Sequence, residues 1–339
     1  MPRPEPVAPS EPAAPSEPVA PSEPSRPPTP PTPPAAARSG WRSPRRYLVL
    51  AIILVIAAGA AILIARWLVG LGPIHDFLMA YPGSTPLPAW APVGIPAWIG
   101  WQHFLSAFLI LLIIKSGWQV RTQTKAPASW TRRNEGLLRT RGTPRTISLT
   151  LWFHLALDAL WFANGLTFVV LLFVSGQWVR IIPTSWDIVP NALSAALQYV
   201  SLDWPTENGW VNYNSLQVLA YFVTVFIAAP LAAVTGVRMS GAWPRNAKRL
   251  NALYPIGLAR AIHFPVMLYF VLFIVVHVTL VVATGALRNL NHMYTSRDVV
   301  DWVGFGIFAL SLLVMGAAWV LSTPTILRPI AALTGKLSR

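Results

Sequence analysis

The sequence predicts an all-α membrane protein, a six-transmembrane helical bundle behind a disordered Pro-rich N-terminal tail. Three observations carry this. Charged residues make up only 11% of the 339, against 54% hydrophobic, and mean hydropathy is +0.51. Six apolar runs approach or exceed the roughly 20 residues that cross a bilayer as a helix. Those runs are continuous and do not alternate with period two, which argues against a β-barrel.

Residues 1–46 read as a solvated cytoplasmic tether. From Glu5 the chain repeats EPVAPS, EPAAPS, EPVAPS and then runs into EPSRPPTPPTPP. Proline at this density blocks helix and ladder and favours extended polyproline II, and almost nothing apolar is present to offset the entropy of ordering. The run 47–69 is long for a signal-peptide core, sits behind the tail and lacks an obvious cleavage site, so it reads as an extra, retained transmembrane helix. Further spans are expected at 97–120, 148–175, 215–237, 258–284 and 301–322, the last followed by a basic tail to 339.

The net charge of +14 raises nucleic acid as a partner, but its distribution speaks against that. Basic residues cluster at Arg38, Arg42, Arg45 and Arg46, then at Arg121, Lys125, Arg132, Arg133, Arg139, Arg141 and Arg145. The next clusters are Arg238, Arg245, Lys248 and Arg249, then Arg328, Lys336 and Arg339. The intervening loops hold at most Arg180, or Arg288 with Arg297. Alternation of this kind sets topology and places both termini in the cytoplasm. Trp98, Trp101, Trp118, Trp152 and Trp178 near span ends suit interfacial belts. The chain has no cysteine, which excludes disulfides, thiolate-held iron–sulfur clusters and haem attached through Cys-x-x-Cys-His.

Four of the six histidines fall inside spans: His103, His154, His263 and His277. Ionisable side chains are costly in a bilayer and concentrate where there is function, although any single one can simply bond a neighbouring helix. His263 and His277 lie fourteen residues apart. At 100° per residue they share nearly one helix face, with a rise of about 21 Å between them. No single metal bridges that distance, but two sites at different depths would use both residues. The loop charges place His103 and His277 towards the outer side and His154 and His263 towards the cytoplasm, which sorts the four into two pairs. An imidazole pair across a helix bundle is the axial ligation expected of low-spin haem b.

Gly117, fourteen residues after His103, and Gly165, eleven after His154, would let a flat macrocycle approach the backbone at the inner and outer sites. Close helix packing explains them equally well. Asp158, one turn after His154, suits a proton carrier or polar packing. Arg121, Arg180, Arg260 and Arg288 stand at helix ends, where haem propionates or ordinary snorkelling account for them. His75, beside Asp76, and His292 sit in outer loops and read by default as solvated. The long loop 176–214 reads as a docking surface or a folded lid. Dinucleotide fingerprints, phosphate loops, HExxH and a soluble domain of enzymatic size are absent from the sequence.

The blocks WQHFLSAFLILLIIKSG (101–117), LWFHLALDALWFANG (151–165), YNSLQVLAYFVTVFIAAPLAAVTGVRMS (213–240) and HFPVMLYFVLFIVVHVTLVVATG (263–285) resemble the bacterial membrane di-haem cytochromes b. These serve formate dehydrogenase, nickel–iron hydrogenase and thiosulfate reductase. The resemblance spans roughly 97–290 and implies a four-helix di-haem core. In that family the first two core helices supply one histidine each and the fourth supplies two, fourteen apart, which His103, His154, His263 and His277 match. It implies two haem b, a quinone as redox partner and a partner oxidoreductase subunit in the bacterial cytoplasmic (inner) membrane. The YN-x-x-Q and PL-x-x-x-TG blocks are similar to a branch serving extracytoplasmic molybdenum enzymes. The helix at 47–69 places this core the other way up from the family pattern, and 301–339 lies outside the resemblance. The rival expectations are a proton-coupled transporter using the intramembrane histidines and Asp158, and an intramembrane metal carrier.

Overall fold

A computed structural model of the chain describes residues 44–135, 143–204, 208–244 and 246–338. The tail through residue 43 and the loop arginines Arg139, Arg141 and Arg245 lie outside the described residues. By its contacts the chain divides after Ile53. The described part of the first unit is the start of α1 (Pro44–Val69), and the second unit holds the rest of that helix and every later element.

Along the chain come α2 (Gly72–Ala80), α3 (Ala97–Thr122), β1 (Ser129–Arg132), β2 (Thr146–Ser148), α4 (Leu149–Val174) and a 3₁₀ turn, Gln177–Arg180. Then come α5 (Ile188–Val200), α6 (Ser215–Phe222), a π turn over Val223–Ala228 and α7 (Ala229–Met239). The chain ends with α8 (Lys248–Leu253), α9 (Ile256–Ala283), α10 (Ala286–Thr295), α11 (Val303–Leu321), α12 (Pro324–Ala332) and β3 (Gly335–Ser338). Among the described residues, six helices are long and apolar enough to cross a membrane: α1, α3, α4, the continuous run α6 to α7, α9 and α11. The chain is an all-α, multi-pass membrane bundle. Large apolar side chains such as Leu63, Leu272 and Leu313 are 64–70% exposed, as helices bathed in lipid require.

Local chemistry sets the span ends. The Ser148 side chain accepts from the Leu151 amide to start α4, and Asn214 with Gln217 forms a capping box at α6; both satisfy orphan first-turn amides. Pro96 and Pro255, in extended conformation, stand at the N-caps of α3 and α9. Lys115 of α3 reaches the C-terminus of α11, donating to the Trp319 carbonyl and, at 2.7 Å, to the Ser322 hydroxyl. There its charge meets the negative end of that helix. The π turn precedes Pro230, which has no amide to donate into a regular α-helical ladder. Within it Thr224 and the Tyr269 hydroxyl of α9 are 2.7 Å apart.

Each end of the bundle carries its own closure. At one end β1 pairs antiparallel with both β2 and β3, in the order β2-β1-β3. Ala128, Leu149, Leu327 and Ala331 pack there as a cluster, and the Trp130 indole donates to the Ala331 carbonyl at 3.0 Å. This sheet is an addition to the expected fold. The opposite end is a folded cap of α2, the 3₁₀ turn, α5, α10 and the segment before α6, so the described residues of 176–204 and 208–214 are part of a folded cap. Gly94 anchors it at φ +90, a backbone region that favours glycine. A Cβ there would meet the Trp210 ring at 2.7 Å. The Gly94 carbonyl accepts from Arg180 at 2.6 Å and from Gln177 at 3.2 Å. Arg180, only 2% exposed, also donates to the Gly209 carbonyl at 2.6 Å and lies over the Tyr213 ring.

Candidate functional site: two histidine pairs

The bundle brings the four intramembrane histidines together in two pairs. His103 of α3 faces His277 of α9 towards the cap, with ring centroids 6.1 Å apart. His154 of α4 faces His263 of α9 towards the sheet, at 6.5 Å. Two imidazoles binding one ion from opposite sides at about 2 Å each, with ring centres about 1.1 Å behind the nitrogens, have centroids about 6.3 Å apart. Both spacings fit a single metal between the rings. Each site offers two imidazoles as candidate nitrogen donors.

A seven-residue step runs through all the contributing helices. On α3 it takes His103 to Ile110 and Gly117, on α4 His154 to Trp161, on the α6–α7 run Tyr221 to Ala228 and Thr235, and on α9 His263 to Phe270 and His277. On the regular helices seven residues are close to two turns, a rise of about 10.5 Å on nearly one face, while the step from Tyr221 to Ala228 crosses the π turn. The result is three layers. Between the histidine layers lies an apolar one: Trp161 meets Phe270 edge to face at 5.9 Å, and Ala228, Phe270 and Ile110 pack into the same cluster.

The sheet-end site is built on two similar cradles. Ser116 Oγ lies 2.9 Å from His154 Nδ1 and 3.1 Å from the Ile113 carbonyl. Thr235 Oγ1 lies 2.7 Å from His263 Nδ1 and 2.6 Å from the Leu231 carbonyl. Both hydroxyl residues are buried, at 0% and 1% exposure. A glycine comes directly after each hydroxyl residue. A Cβ on Gly117 would sit 3.1 Å from His154 Cε1, and one on Gly236 would sit 3.8 Å from His263 Cε1. Gly117, singled out for a macrocycle, thus makes room for the imidazole itself. His154 Nε2 is 3.6 Å from Asp158 Oδ2, beyond hydrogen-bond reach. Sequence reasoning missed Ser116, Thr235 and Gly236; the visible signal was the hydroxyl–glycine dipeptide repeated at Ser116-Gly117 and Thr235-Gly236.

The cap-end site is aromatic. Phe273 stacks on His277 at 5.5 Å, and Tyr221 and Tyr294 stand edge-on to His277 and His103. His103 Nδ1 is buried without a hydrogen-bond partner among the described residues. A cleft opens beside this pair, lined in part by Tyr213, Tyr221, Tyr294 and Phe308. Burial raises the Tyr213 hydroxyl above its ordinary pKa, opposed by the Arg180 cation. Burial likewise raises Tyr294. A Cβ on Gly165 would meet nothing within 4 Å, so none of the described side chains fills that space.

The outer residues separate. His75 lies exposed on α2. His292 corrects the expectation of a solvated loop residue: it is on α10, 3% exposed, against Trp210 at 5.3 Å. Its Nε2 donates to Asp298 Oδ1 at 2.7 Å. Arg288 grips the same carboxylate at 2.7 and 3.0 Å. Asp298 is held well below the usual carboxylate range, first by the Arg288 bond and then by His292. Arg288 is therefore committed to Asp298, Arg180 to the cap carbonyls, and Arg121 lies 4.0 Å over the Phe264 ring. Arg260 is exposed.

Comparison with protein-family models, with curated proteins and with solved structures finds no match to this chain.

Proposed function

We propose that this chain is a di-haem cytochrome b subunit, carrying electrons across the bacterial inner membrane between a quinone and a partner oxidoreductase. The observation that carries the reading is the facing of His103 with His277 and of His154 with His263 at one-metal spacing, about 21 Å apart along α9. A haem b held by the histidines of each pair would supply reversible one-electron exchange. The histidines bind and orient; the cleft beside His103 and His277 gives the cap-end site room for a planar group. On the basis of the loop charges, the sheet end and both termini are assigned to the cytoplasm and the cap to the outer side, where an extracytoplasmic molybdenum enzyme would dock.

Between the pairs, Ile110, Ala228 and Phe270 are apolar and Trp161 packs edge-on to Phe270, with the Thr224–Tyr269 hydroxyl pair beside them. The rival transporter reading draws on the Asp158–His154 approach. A visible spectrum separates the two. Full-length chain made with haem available should show dithionite-reduced haem b bands at two haems per chain, and a haem-free chain would overturn the reading. His263→Ala should remove one haem and leave the other.

A further inference from the structure

We propose that Ser116 and Thr235 are positioning residues that lock His154 and His263 as Nδ1–H tautomers with Nε2 turned to the metal, and so set the sheet-end haem at a lower potential than the cap-end one. This rests on the di-haem reading above.

A hydroxyl has one proton and two lone pairs. In each cradle the oxygen lies within hydrogen-bond distance of a carbonyl in the preceding turn, Ile113 for Ser116 and Leu231 for Thr235. The proton goes to that carbonyl, because a buried carbonyl can only accept. With the proton so placed, the hydroxyl oxygen offers lone pairs to Nδ1 at 2.9 and 2.7 Å, and the imidazole is the donor in this assignment. Nε2 is left unprotonated on both rings. Gly117 lets the His154 ring sit close enough for this, since a Cβ there would stand 3.1 Å from Cε1, whereas one on Gly236 would stand at an ordinary 3.8 Å from His263 Cε1.

The two sites differ here. His103 Nδ1, at the cap end, is buried with no partner among the described residues. An imidazole that donates its outer N–H is a more basic ligand, and a more basic ligand favours ferric over ferrous iron, which lowers the potential.

The test is a potentiometric titration of the full-length, haem-loaded chain, monitored by the haem bands and by electron paramagnetic resonance. Wild type should titrate as two components. Ser116→Ala and Thr235→Val should each raise the lower component alone, by about tenfold in the ferric-to-ferrous affinity ratio, or about 59 mV for one electron. The ferric signal of that haem should change as its ring loses its tether. Ser116→Thr and Thr235→Ser keep the hydroxyl and should restore wild-type values. Loss of one haem in Ser116→Ala with retention in Ser116→Thr also supports the cradle. Two retained haems with unshifted potentials, or equal shifts in both, would overturn it while leaving the di-haem reading intact. A wild type without haem b bands would remove the di-haem reading itself.

Discussion

Replacing Gly117 with alanine sets two effects of opposite sign against each other. In a helix interior alanine is favoured over glycine by about 1 kcal/mol. Against that, the new methyl would stand 3.1 Å from His154 Cε1, where carbon atoms settle at about 3.5–4.0 Å. The ring must retreat by roughly 0.5 Å, which stretches its 2.9 Å contact with Ser116 towards the limit of a useful hydrogen bond. Overpacking of this kind costs about 1–3 kcal/mol. The same change at Gly236 places the methyl 3.8 Å from His263 Cε1, an ordinary contact, so only the helix gain remains. Gly117→Ala should therefore be less stable than Gly236→Ala by about 1–3 kcal/mol. Unfolding of each variant in mixed micelles, monitored by circular dichroism, gives that difference directly. Equal stability of the two would refute the claim that Gly117 is there to admit the imidazole.

Asn291, fully buried, donates to the carbonyls of Leu287, Val299 and Asp301 and accepts from the Gly304 amide; Asn291→Ala should destabilise by about 2–3 kcal/mol, read in the same unfolding assay. Lys115→Met removes the cation at the end of α11 and should cost about 1–2 kcal/mol, with faster hydrogen exchange around Trp319–Ser322. Because Asp298 has its folded pKa held below the ordinary 3.8, the unfolded chain takes up its proton first on acidification. The cap link is thus complete above that value and is lost as pH falls through the lower folded one. Melting temperature should drop more between pH 5 and pH 3 in wild type than in Asp298→Asn. Gly165→Leu fills space that none of the described side chains occupies; if that space belongs to a macrocycle, the variant loses the cap-end haem while remaining folded.

The spans were legible because length and continuous hydrophobicity leave few alternatives in a bilayer. The run 148–175 corresponds to Leu149–Val174, and 258–284 to Ile256–Ala283. The closures at the two ends were not. The sheet consists of strands of three and four residues, and its β3 comes from the far end of the chain to pair with β1, so local alternation could not announce it. In the cap, α10 follows Gly285, where φ is +126, and stays together through Asn291. Composition alone made the same segment look like a polar loop. His75 and His292 show the limit most clearly. Both are loop-like in sequence context, yet one is exposed on α2 and the other is enclosed between Trp210 and Asp298.

For the histidines the legible part was longitudinal and the hidden part lateral. Spacing along one chain carries depth, because rise per residue is fixed, and loop charge carries direction; together they pair His103 with His277 and His154 with His263. What lies beside each ring depends on which helix packs where. The hydroxyl for His154 comes from α3 and the one for His263 from α7, and neither helix carries the histidine it serves. In isolation Ser116 and Thr235 look like ordinary span hydroxyls bonding back to their own helix, which both also do. That back-bonding consumes the hydroxyl proton and makes each imidazole the donor. A contact that looks merely local therefore sets which nitrogen of the neighbouring histidine is free. The sheet-end pair has two such contacts, where the His103 Nδ1 of the cap-end pair has none among the described residues. The difference between the two sites thus originates in the α3 and α7 surfaces, since α9 presents the same residue type to both.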